Sequence, residues 1–132
     1  MTENKILLVR HGESAANAGQ MTTFNDKIPL SALGEKQSAA IAQKLFAREP
    51  NPAKLISSPY LRAVETAAPY AKLTEAKIEI ADAWHETDYL QAQENAAPTT
   101  LEQRFNARNN FWTESIKNQD FLNITQSKNH TF

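Results

Sequence analysis

The stretch Lys5-Ile6-Leu7-Leu8-Val9-Arg10-His11-Gly12 decides how the rest of the chain is read. Lys5 to Val9 is a nearly continuous apolar run, β-branched at Ile6 and Val9. That composition suits a strand buried on both faces, as in a parallel sheet. The run stops at a polar tripeptide, Arg10-His11-Gly12, whose glycine permits a sharp turn. Open α/β sheets bind their ligands outside the carboxyl ends of the strands, so Arg10 and His11 stand where such a sheet keeps its chemistry.

Working outward, residues 13–29 read as a loop with one helical turn at its start. Ser31 occupies an N-cap position ahead of a helix over 32–48, with Leu33, Ile41 and Leu45 on one side, and Pro50 and Pro52 end it. Lys54-Leu55-Ile56-Ser57 is a second strand. Ser58-Pro59 opens the next helix, with an apolar stripe of Leu61, Val64 and Ala68; Pro69 is predicted to break or kink it. Ile78 and Ile80 alternate with polar neighbours and predict a third strand at 77–81. Pro98 with Thr99-Thr100-Leu101-Glu102 resembles a capping box, and Leu101, Phe105, Trp112 and Ile116 continue at helical spacing. After Asn118 the pattern degrades. The alternation of strand and helix predicts an α/β domain with a mainly parallel sheet.

At 132 residues the chain suits one domain with a single core, taken here as 1–132 with an atypical tail over 118–132. The 14 basic and 15 acidic residues nearly cancel, so no global field favours nucleic acid or an acidic membrane. Affinity for an anion must come from a local cluster. Disulfides, thiolate nucleophiles and cysteine-based zinc sites are excluded, because cysteine is absent. No run reaches the roughly 18 apolar residues of a membrane span, and the start lacks the pattern of a secretory signal. The expected setting is the cytoplasm.

Ser57, Ser58 and Arg62 lie at or just past the end of the second strand. If the first two strands are neighbours, Arg10, Arg62 and His11 face one crevice. Guanidinium groups match phosphate oxygens bidentately, and a neutral imidazole with a pKa near 6.5 can attack phosphorus at neutral pH. The constellation reads as a phosphate pocket. No carboxylate cluster with magnesium-binding spacing accompanies it, so neither metal nor cofactor is expected. The aromatic residues Trp84, Phe105, Phe111 and Trp112 read as core or lid packing, since no basic stripe accompanies them.

Leu8-Val9-Arg10-His11-Gly12-Glu13-Ser14, followed by Asn17, resembles the signature of the histidine phosphatase superfamily, which includes the cofactor-dependent phosphoglycerate mutases. Pro29-Leu30-Ser31-Ala32-Leu33-Gly34-Glu35-Lys36-Gln37 and Ser57-Ser58-Pro59-Tyr60-Leu61-Arg62-Ala63, with Glu65-Thr66-Ala67, are similar to further family motifs in the same order. The resemblance implies a three-layer α/β/α sandwich of the phosphoglycerate mutase kind. It also implies His11 as phosphoryl acceptor, Arg10 and Arg62 as phosphate clamps, and Asn17 as a donor to phosphate or substrate. Glu86 would be the acid that protonates the leaving oxygen, although the glycine and tryptophan that usually follow it are absent.

Relatives also carry a second catalytic histidine late in the chain, after another buried strand. Here the last histidine, His130, has neither an apolar run before it nor a flanking glycine. The departure after Asn118 is the pattern of a shortened or frame-shifted product, so the fold is expected to be incomplete. A missing central strand would expose apolar surface and favour self-association into a homodimer. The expected activity is hydrolysis of a small phosphorylated substrate through phosphohistidine at His11. The alternatives are an impaired pseudo-phosphatase that binds phosphorylated ligands and a phosphoglycerate-type mutase.

Overall fold

The computed structural model describes residues 4–22, 24–84 and 100–117. Among them are helices α1 (Ala32–Arg48), α2 (Leu61–Thr74) and α3 (Leu101–Lys117), strands β1 (Leu55–Ser57) and β2 (Ile78–Ile80), and short 3-10 turns at Asn25–Lys27 and Asp82–Trp84. β1 and β2 run parallel, with Leu55 opposite Ile78 and Ser57 opposite Ile80. α2 makes the crossover that parallel pairing requires. The α/β class and the parallel sheet read from the sequence are the ones the chain adopts. No helix among the described residues is long and apolar enough to cross a membrane.

Local chemistry sets the helix ends. Ser31 caps α1, its Oγ accepting from the Gly34 N–H at 3.0 Å. At α3, Thr100 Oγ1 accepts from the Gln103 N–H at 3.1 Å while Gln103 Oε1 accepts from the Thr100 N–H at 2.8 Å. This reciprocal box lies one residue beyond the Thr99–Glu102 pair that the sequence offered. α2 continues through Pro69 to Thr74, where a break or kink was expected. Proline removes one helical hydrogen bond. The adjacent Tyr70 is buried, and its hydroxyl donates to the Glu49 carbonyl at 2.6 Å, so the last turns of α2 are anchored beyond the interruption.

The core lies where α1 and α2 pack closely together. The buried stripe of α1 is Gly34, Ser38 and Ala42; that of α2 is Arg62, Thr66 and Tyr70. Neither is the stripe expected from hydrophobic spacing: Leu33, Leu61 and Ala68 are exposed. Small residues on one helix let the backbones approach, and the groups opposite are then chosen for hydrogen bonding. Periodicity of apolar residues cannot report such a face.

A second expectation fails at the start of the chain. Residues 5–9 belong to no strand, and Ile6 and Leu8 are 81% and 79% exposed. A strand buried on both faces needs partners on its edges and helices over its faces. The described residues supply a sheet of two short strands that pair with each other. Trp84 and Phe105, read as core or lid packing, are likewise exposed, while the side chains of Phe111 and Trp112 and all of residues 118–132 lie outside the described part.

α2 ends at Glu75 in the left-handed conformation, φ 57°, where a Cβ costs about 1–2 kcal/mol. Glu75→Gly is expected to stabilise the chain by about 1 kcal/mol, read as a higher urea midpoint. Burial, and secondarily the Glu49 carboxylate, raise the Tyr70 phenol above its ordinary pKa of 10.0. The folded state therefore holds that proton more tightly than the unfolded chain. The resulting stability is fully present below about pH 10 and is lost as pH climbs through the folded value. Tyr70→Phe should cost about 1 kcal/mol at pH 7 and reduce the alkaline loss of stability in parallel denaturation curves.

Candidate active site

The turn carrying His11 is held between α1 and α2 by its backbone. A Cβ built on Gly12 would lie 2.7 Å from the Gly34 carbonyl oxygen, and one on Gly34 would lie 2.0 Å from that of Glu13. The glycines are needed here for close approach of two main chains. Gly12 N–H donates to Thr66 Oγ1 at 3.0 Å, and the Thr66 hydroxyl in turn donates to the Arg62 carbonyl at 2.7 Å. Glu13 N–H donates to Gln37 Oε1 at 2.8 Å, and the Glu13 carboxylate accepts from Ser31 Oγ at 2.7 Å. Ser14 pairs antiparallel with Leu30, whose N–H donates to Glu65 Oε2 at 2.7 Å.

His11 is half-buried, with Nδ1 2.6 Å from the Gly12 carbonyl oxygen. A carbonyl can only accept, so this bond requires the proton on Nδ1. In the neutral ring the lone pair then sits on Nε2. The backbone N–H groups of Gly12, Glu13 and Ser14 donate to the side chains of Thr66, Gln37 and Asn17.

Asn17 closes a capping box around the turn it follows. Its Oδ1 accepts from both the N–H and the hydroxyl of Ser14, at 3.2 and 2.9 Å, while Ser14 Oγ accepts from its N–H at 3.1 Å. The donor end available to a phosphate oxygen is therefore the amide Nδ2. Arg62 is 4% exposed; Nη1 donates to the Asn25 carbonyl at 2.7 Å, and the guanidinium lies 4.8 Å from the Tyr60 ring centroid. Its helix reaches the His11 turn one turn later through Thr66, so the two are joined through backbone and hydroxyl. Arg10 is exposed. Glu86, His85 beside it, and His130 lie outside the described residues.

Gly34, Glu65 and Thr66 stand in the family-like motifs of the sequence, from which no role of their own could be read. The available signal was spacing: Thr66 stands four residues after Arg62, on the same face of α2. Arg104, joined to the loop after His11, carried no signal in the apolar pattern.

Histidine phosphatase superfamily (branch 1) is the family that matches, over residues 6–123. The chain belongs to that superfamily. Among solved structures it is similar to a mycobacterial glucosyl-3-phosphoglycerate phosphatase in complex with VO3, at 27% identity and TM-score 0.55, covering 70% of this chain and 42% of that one. A phosphoserine phosphatase from Entamoeba histolytica, in complex with 3-phosphoglyceric acid, matches at 26% identity and TM-score 0.50, with the same 70% and 42% coverage. SixA from Agrobacterium tumefaciens shares the fold at 20% identity and TM-score 0.50, covering 67% and 60%. The chain thus spans about two fifths of the length of the first two. The comparison with curated proteins returns no match.

The contact between Gly34 and the His11 turn has a measurable cost if filled. Gly34→Ala should destabilise the chain by about 1–3 kcal/mol, seen as a lower urea midpoint with an unchanged slope.

Proposed function

We propose that the chain is a phosphomonoester hydrolase that works through phosphohistidine at His11. The observation that carries this reading is the Nδ1···O=C contact to Gly12 at 2.6 Å, which leaves Nε2 as the nucleophilic nitrogen. Nε2 attacks phosphorus in line, and the phosphorus–oxygen ester bond breaks. The leaving oxygen takes a proton from an acid, the role assigned to Glu86. Water, giving its proton to the Glu86 carboxylate left by the first step, then cleaves the phosphorus–nitrogen bond, releasing inorganic phosphate and restoring neutral His11 and the acid.

Arg10 and Arg62 stabilise the charge on the equatorial oxygens, with the Nδ2 amide of Asn17 as a further donor. A guanidinium carries five N–H donors, so the bond from Arg62 to Asn25 is compatible with phosphate on others. The phosphatase names of two similar structures favour hydrolysis over intramolecular transfer, and small phosphorylated molecules as substrates.

Hydrolysis of a simple aryl phosphate by the chain should fall to background in His11→Ala, followed as release of the phenol. Undiminished turnover in that variant overturns the reading. Vanadate binding by the unaltered chain without any turnover would leave a phosphate-recognition module in its place.

A further inference from the structure

Among its described side chains, α3 buries one charged residue, Arg104, at 6% exposure, while Leu101 and Phe105 beside it are exposed. This inverts the usual order of burial, since a guanidinium is costly to desolvate unless it is bonded. Its bonds go to the loop after His11: Nη1 donates to Thr22 Oγ1 at 3.0 Å and Nη2 to the Ala16 carbonyl at 2.9 Å. Thr22 is itself buried. The same carbonyl also accepts from the Gly19 N–H at 3.1 Å, so both of its lone pairs are used.

The Ala16 carbonyl and the Asn17 N–H belong to one planar peptide unit. Fixing the oxygen of that plane fixes where Asn17 starts. Further bonds brace the loop internally, from Ala18 N–H to the Ser14 carbonyl and from Gln20 N–H to that of Ala15, both at 3.0 Å. Arg104 ties this braced loop to a separate helix, more than eighty positions along the chain. A two-pronged group is required, because the acceptors belong to different residues.

The geometry points to Arg104 as a positioning residue of the phosphate site: through the Ala16–Asn17 peptide it sets the placement of the Asn17 amide toward the phosphoryl group. The role rests on the phosphatase reading above. It makes α3 part of the site's support, and it assigns to a charge what hydrophobic patterning gave to an apolar stripe.

The test measures inorganic phosphate affinity of the full chain by calorimetry, together with amide exchange at Ala18, Gly19 and Gln20. The proteins are the unaltered chain, Arg104→Ala, Arg104→Lys, Asn17→Ala and the Arg104→Ala/Asn17→Ala pair. Arg104→Ala should weaken phosphate binding about tenfold, the scale of a lost charge-assisted bond, and speed exchange at those amides. Arg104→Lys, which can reach one acceptor, should fall between, and it serves should the alanine variant not fold. The double variant should bind no more weakly than Asn17→Ala alone, since both changes act through one amide. Additive losses, unchanged affinity or unchanged exchange would each overturn the role. Absence of phosphate binding by the unaltered chain would remove the phosphatase reading and the positioning role together, while a change in exchange would still report the clamp.

Discussion

Contact between two main chains without a side chain between them organises this molecule. Gly12 and Glu13 lie against Gly34 in the first turn of α1, at a spacing no other residue allows at either glycine. Once that contact is made, the Gly12 N–H meets Thr66 on α2, the Glu13 carboxylate meets the Ser31 cap, and Ser14 pairs with Leu30. Each bond holds the turn that contains His11. The stability of α1 and the orientation of the imidazole are thus the same fact, because the cap of the helix is shared with the turn.

The interface that results is polar for its position. Ser38, Arg62 and Thr66 are buried along it, and a buried hydroxyl or guanidinium left unbonded would cost about 1–3 kcal/mol or more. Thr66 serves as acceptor for Gly12 and donor to Arg62, and Ser38 donates to the Glu35 carbonyl at 2.9 Å. Net stabilisation from each bond is small, about 1 kcal/mol. Their larger effect is on uniqueness: one register of α1 against α2 satisfies all of them, and a slid register satisfies few.

The helices, the two strands and their order were legible in the sequence because capping residues and apolar runs mark them locally, although α2 starts at Leu61 without a side-chain cap from Ser58 and runs on through Pro69. Ser31 caps α1 as read, and Leu55–Ser57 and Ile78–Ile80 fall within the segments expected as strands. The buried faces were not legible. Leu33, Leu61 and Ala68 look like a core and are exposed, whereas Gly34, Arg62, Thr66 and Arg104 look like surface and are buried. Hydrophobicity ranks residues by what they lose in water. These positions are filled by what they gain in hydrogen bonds or in closeness, which only three dimensions reveal. The site divides in the same way: His11 and Arg62 were visible as motif residues, but the tautomer of one and the Asn25 and Tyr60 contacts of the other depend on neighbours distant in sequence.

Among the described residues, the backbone bonds that hold the His11 turn come from its C-terminal side. Gly12, Glu13 and Ser14 are tied to both helices, while Ile6 and Leu8 are largely exposed and residues 5–9 belong to no strand. Before His11, Lys5 Nζ pairs with Glu49 Oε1 at 3.4 Å, a surface contact that salt screens. The C-terminal side of the turn can therefore fix the ring, through Nδ1 and the Gly12 carbonyl, with no strand ladder on the N-terminal side. Arg10 stands on the loosely held side. If both arginines hold phosphate as proposed, Arg62 would do so with its side-chain entropy already spent in burial, whereas Arg10 would give up its own on binding. In that proposed clamp, burial would make Arg62 the fixed half and Arg10 the half that closes.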